Sequence, residues 1–100
     1  MATRIIWGTI SPEGHKLSGV GFHPSRKNEG DYRIEFDEEF MGLPAIVGTQ
    51  TGLDFSGQVP LDGTVFPFLD SKGATAFTSN QIGTLKDRQF SFIAIGEVKE

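Results

Sequence analysis

The chain has 100 residues, a formal net charge of −4 and no cysteine, which fits one domain and rules out both a disulfide scaffold and a thiolate metal site. Its nine lysines and arginines are scattered among 13 acids, without the clustered cations that phosphate backbones require, so nucleic-acid binding is not expected. No apolar run approaches the roughly 18 residues of a helical membrane span, and no membrane insertion is expected either.

Met1-Ala2-Thr3-Arg4 leads straight into a strand and lacks a signal-peptide apolar core. The expected location is therefore the cytoplasm, or a particle exported without a cleaved signal. Arg4 to Ile10 reads as the first strand, and Ser11-Pro12-Glu13-Gly14 as a turn, with proline and glycine supplying its special backbone angles. Lys16 to Pro24 reads as the second strand, with Val20 and Phe22 on one parity and Gly19 and Gly21 on the other. Paired glycines in a strand mark a bulge or a close backbone approach. They are no dinucleotide fingerprint, because the third glycine and the following helix are missing.

Ser25 to Gly30 is a polar loop. The clearest strand follows, Asp31 to Phe36, where Tyr32, Ile34 and Phe36 alternate with Arg33 and Glu35; alternation of this kind gives one buried and one wet face. Asp37 to Leu43 is a loop opened by an acidic triplet, and Pro44 to Gln50 is the fourth strand. Thr51 to Gly63 is the longest stretch without a pattern, and loops of this length in small domains are often functional. Thr64 to Asp70 is the fifth strand. Pro67 within it places it at a sheet edge or a bulge, because proline cannot donate to the ladder. Ser71-Lys72-Gly73 is a tight turn, Ala74 to Ser79 the sixth strand, and Asn80 to Asp87 another loop. Arg88 to Val98 closes the chain. It is apolar on both parities from Phe90 to Gly96, as suits a central strand or one whose outer face is covered by another subunit.

The period-2 pattern, the dense turn residues and the absence of a helical repeat predict an antiparallel β-sandwich of about six to seven strands. Nine phenylalanines with Trp7 and Tyr32 are read as its core. An aromatic platform for stacking would instead need those rings exposed. So small a sandwich has little surface to hide, and self-association is one source of added stability. If strand direction alternates, Ser11–Gly14, Asp37–Leu43 and Ser71–Gly73 share one end. Ser25–Gly30, Thr51–Gly63 and Asn80–Asp87 share the other, and the long loops there are the expected place for a ligand.

His15 and His23 lack partners that would complete a zinc set. Asp54, Asp62 and Asp70 recur at even intervals without the calcium-loop pattern. No metal or cofactor is expected. The chain also lacks a Gly-x-Ser-x-Gly elbow and any assignable carboxylate pair, so an enzyme is not expected. The candidate ligand residues are Arg26, Asn28, Asp54, Asn80, Gln81 and Arg88. The arginines offer hydrogen-bonding forks, and the amides offer the paired donors and acceptors that sugar hydroxyls accept.

Gly19-Val20-Gly21-Phe22, Gly30-Asp31-Tyr32-Arg33-Ile34-Glu35-Phe36, Phe40 with Leu43-Pro44-Ala45-Ile46-Val47, and Phe90-Ser91-Phe92-Ile93-Ala94-Ile95-Gly96 follow one another in a familiar order. Together they resemble small bacterial and phage β-sandwich modules of tail-fibre-like and collagen-like proteins, and are similar in outline to the H-type lectins. The resemblance covers most of the chain, and its motifs are structural. It implies a sandwich that forms homotrimers, with receptor or sugar binding in some members. No sugar-binding residue of the lectins matches a position here. The expected function is a non-enzymatic, lectin-like module for carbohydrate or a receptor, with a cell-surface glycan as partner. The alternative is a purely structural or oligomerisation domain of a larger particle or fibre.

Overall fold

The computed structural model of the chain describes residues 1–52 and 57–99. It is all-β. Eight strands follow in chain order: β1 (Ala2–Ile10), β2 (Lys16–Val20), β3 (Phe22–Asn28), β4 (Asp31–Phe36), β5 (Ala45–Gln50), β6 (Thr64–Leu69), β7 (Gly73–Thr78) and β8 (Phe90–Val98). They form two four-stranded antiparallel sheets packed as a sandwich, ordered β2-β1-β8-β5 and β3-β4-β7-β6. The predicted fold class holds. The strand number is eight rather than six to seven because the expected second strand is two strands.

The division falls at Gly21, which has φ +91°, a left-handed value that a side chain disfavours. Before it β2 pairs with β1, and after it β3 pairs with β4 in the other sheet. The extra reversal changes which loops share an end. The β1–β2, β3–β4, β5–β6 and β7–β8 connections all lie at the end marked by Ile10, Gln50, Thr78 and Phe90. The described parts of the three long-loop segments gather there, as expected. The Ser11–Gly14 turn joins them instead of sitting opposite. The contacts agree: the Tyr32 hydroxyl donates to the Pro12 carbonyl at 2.8 Å.

Between the sheets lie Ile6, Ile10, Phe22, Tyr32, Ile34, Phe36, Phe90, Phe92 and Ala94. Phe22 meets Phe92 edge to face at 4.9 Å, and Phe36 meets Phe40 likewise at 5.1 Å, the arrangement ring quadrupoles favour. Two aromatic expectations change. Trp7 is 46% exposed, because Ile6, Gly8 and Ile10 take the inward parity of β1 and leave Ile5 and Trp7 facing out. Phe66 and Phe68 do not share a face. The β6 register shifts between Val65 and Phe68, and the added residue turns Phe66 towards the core and Phe68 out to 65% exposure. Pro67 lies in that bulge, on an edge strand, as its chemistry requires. β8 is an interior strand of its sheet, as its two-sided apolar pattern predicts.

Candidate functional site

At the loop end, the inward parity of β4 carries the only tyrosine, Tyr32, fully buried. Its hydroxyl donates to Pro12 and accepts from the Arg88 backbone N–H at 3.2 Å. Burial, with the Asp87 charge beside it, pushes the phenol up to about 12. Asp87 is the second knot. It accepts from the Gly30 N–H at 2.8 Å and from Arg26 Nε at 3.0 Å. Burial works against its charged form, but the Arg26 guanidinium and the Gly30 N–H outweigh it and hold the carboxyl below its usual range. Three connections are thereby tied together: the turn after β1, the β3–β4 hairpin and the segment before β8.

A second arginine–aspartate pair is built differently. Arg88 Nε stands 3.5 Å from Asp62 Oδ2, with the Asp62 side chain only 2% exposed. The other Asp62 oxygen, Oδ1, is buried and has no hydrogen-bond partner, and the same holds for Arg88 Nε, Gln50 Oε1 and Thr64 Oγ1. Gln50 donates through Nε2 to the carbonyls of Gly63 and Ser79, which fixes its amide orientation and leaves Oε1 as a pure acceptor. Among the described residues, these four orphaned atoms belong to Gln50, to Arg88 and to the chain entering β6.

The five described candidate residues lie at this one end without converging on one concavity. Arg26 is engaged with Asp87, and Asn28 donates to Asp31. Asn80 accepts from the N–H groups of Ile82 and Thr84, so its carbonyl oxygen shapes its own loop. Gln81 is exposed. Arg88 Nε is buried beside Asp62. Asp54 lies outside the described residues. Asp62 and Asp70 sit at opposite ends of the domain, and Asp70 caps the β6–β7 turn through the Lys72 and Gly73 N–H groups.

Sequence reasoning missed a groove of about 500 Å³ where the loops meet the outer face of the first sheet, lined by Thr9, Ser18, Thr51, Gln89, Ser91 and Leu17 among others. Its hydroxyls are linked: Ser91 Oγ lies 2.8 Å from Thr9 Oγ1 and 3.0 Å from Thr51 Oγ1. The only signal in the sequence was parity, since Thr9, Ser91 and Thr49 fall opposite one another only once the register is known. Below this row the outer face turns apolar, with a second groove of about 350 Å³ along Val47, Gly48, Thr49, Ser91, Phe92 and Ile93.

No family model, no curated protein and no solved structure matches the chain.

Proposed function

We propose that the chain is a non-enzymatic binding module that works as a homotrimer and takes carbohydrate, as on a cell-surface glycan, at its loop end. One observation carries the ligand class: the groove whose walls are the neutral hydroxyls and amides of Thr9, Ser18, Thr51, Gln89 and Ser91, with Leu17 beside them. Such a lining offers the mixed donors and acceptors that sugar hydroxyls need, and an apolar surface for a sugar's C–H face. The outline similarity to H-type lectins points the same way. Gln81 and Asn80 stand on the adjoining loop and supply the flanking contacts, while Arg88, beside Asp62, holds the base of that loop.

The test is a glycan array followed by titration of the strongest hits. Dose-dependent binding is expected, weakened about fivefold by Ser91→Ala or Gln89→Ala, since each removes a hydrogen bond worth roughly 1 kcal/mol. Arg88→Ala and Asn80→Ala are expected to weaken it as well. A second reading, a structural or oligomerisation domain without a small ligand, is favoured by the apolar outer face of the same sheet. Silence across a broad array from a stably oligomeric protein establishes that reading instead.

A further inference from the structure

The two outer faces of the sandwich differ in kind. On the β3-β4-β7-β6 sheet, the outward positions of β3 and β4 include His23, Glu35, Arg33 and Asp31, an ordinary charged surface. On the β2-β1-β8-β5 sheet, two successive rows across the strands carry no charge at all. One row is Val20, Trp7, Ile93 and Val47, and the next is Ile5, Ile95 and Ala45. The first charge met along the strands is Glu97, opposite Thr3.

These side chains are not tucked away. Val47 is 67% exposed, Ile5 and Val20 are 55%, Ile93 is 51%, Trp7 is 46% and Ile95 is 42%. Together they leave on the order of 500 Å² of contiguous apolar surface, at the upper end of what a monomer keeps in one patch. Buried between two copies it removes on the order of 1,000 Å² in total, about the threshold for a specific interface, and it leaves the hydroxyl row of Ser18, Thr9, Ser91 and Thr49 open at its margin. Its anatomy also matches one: an aromatic and β-branched centre bounded by polar groups that make few demands.

We infer that this face is covered by a second copy of the same chain. Area and composition point to that occupant, and charge permits it at this face. Each copy carries −4, so two copies repel wherever their acids meet. The two rows are where they can approach without placing like charges in contact. A cyclic three-fold arrangement turns this face of every copy towards the common axis, and a patch of aliphatic side chains around one indole packs against its own kind without matched charge pairs. The inference deepens the homotrimer reading by assigning its surface, and it is independent of the carbohydrate ligand.

Trp7 is the only tryptophan and stands in the centre of the patch, so its fluorescence reports the contact directly. The experiment measures mass by sedimentation and Trp7 emission over a dilution series of the unmodified protein, then repeats both for Val47→Glu and Ile93→Lys, with Phe68→Glu on the other sheet as control. The expected result is an oligomer with blue-shifted, poorly quenched emission. It dissociates on dilution with a red shift, and shifts to monomer by more than tenfold in dissociation constant for either variant but not for the control. A monomer at every concentration overturns both the surface and the homotrimer reading. An oligomer whose mass ignores both variants, or whose Trp7 stays water-exposed, overturns the surface alone. A monomer whose Trp7 shifts to the blue only with anionic or neutral lipid vesicles overturns the second copy in favour of a bilayer. Should the variants lose their β dichroism, the dilution series of the unmodified protein still decides.

Discussion

Raising pH should unfasten the loop end through Tyr32, and the size of the effect follows from its burial. The phenol ionises near 10 in an unfolded chain, whereas in the folded protein burial and the neighbouring Asp87 carboxylate push it up to about 12. A folded value above the unfolded one means that the fold favours the protonated phenol. The stability this contributes is fully present below about pH 10 and is lost as pH rises through about 12. Two pKa units correspond to roughly 2–3 kcal/mol. Because Tyr32 is the only tyrosine, phenolate absorbance reports this one group. The native midpoint should lie near 12 and the urea-unfolded midpoint near 10. Tyr32→Phe removes the titrating group and the hydroxyl that serves Pro12 and Arg88, at a cost of about 1–3 kcal/mol near neutral pH. Urea melts of both proteins from pH 9 to 12 should therefore converge by the linkage amount, since lysines and other groups cancel between them. A native phenolate midpoint close to 10 would refute the reasoning, because it would mean that the hydroxyl is neither dehydrated nor close to a negative charge.

Two further substitutions probe the same frame. Asp87→Ala deprives the Gly30 N–H, Arg26 and the Tyr32 hydroxyl of one acceptor and should cost about 2–3 kcal/mol in denaturant melts; since the carboxyl is held below its usual range, that contribution is present above the unfolded value near 3.9 and fades as pH falls through the folded one, so the variant should show a shallower acid limb. Gly19→Ala meets the Trp7 carbonyl from a backbone at φ +113° and should lower stability by roughly 1–3 kcal/mol or more, read as a drop in melting temperature, whereas Gly42→Ala, with open space around it, should leave it nearly unchanged.

Much of the architecture was written in local pattern. Tyr32, Ile34 and Phe36 are buried in alternation, as their spacing with Arg33 and Glu35 requires. Pro67 sits on an edge strand in a bulge because it has no N–H to give. Two kinds of feature were not legible. The first is a strand break inside an unbroken apolar pattern. Val20 and Phe22 share a parity in the sequence, yet Gly21 turns the chain from one sheet to the other, and nothing local distinguishes such a glycine from one in a bulge. That single residue moved the Ser11–Gly14 turn to the opposite end. The second is cross-strand register. Trp7 lies beside Val20 and Ile93, and Thr9 beside Ser91, only because of pairings more than 80 residues apart along the chain in the case of β1 and β8. The apolar face and the hydroxyl groove are both products of that register. The five described candidate residues share one end of the domain, as loop length predicts, but their partners were invisible: neither the Arg26–Asp87 knot nor the Asn80 loop clip has a sequence signature beyond polar composition.

The two arginine–aspartate pairs at the loop end make a comparison within one molecule. Asp87 is satisfied from several sides, so its removal leaves donors stranded. Asp62 has one oxygen buried and orphaned, while the other accepts from the Val59 N–H at 3.2 Å and meets Arg88 Nε only at 3.5 Å. Burying two charges costs several kcal/mol each, and a long contact without completed hydrogen bonds does not return it. Breaking the second pair from one side, by Asp62→Leu or Arg88→Met, should therefore cost about 3–5 kcal/mol, because the remaining charge stays buried alone. The double variant Asp62→Leu with Arg88→Met should recover most of that loss, ending within about 1 kcal/mol of the starting protein or above it. The same double removal at Asp87 and Arg26 should not recover, since the part-buried Gly30 N–H still lacks its acceptor, whereas the Val59 N–H that Asp62 releases is exposed and turns to water. A thermodynamic cycle over the four proteins of each pair reads this directly. If the Asp62–Arg88 double variant is as unstable as the worse single one, the pair is an ordinary structural brace. If it recovers, the chain maintains, at its loop end, a largely buried ion pair that its stability does not require. Departures of that kind from local energetic consistency are where functional chemistry concentrates.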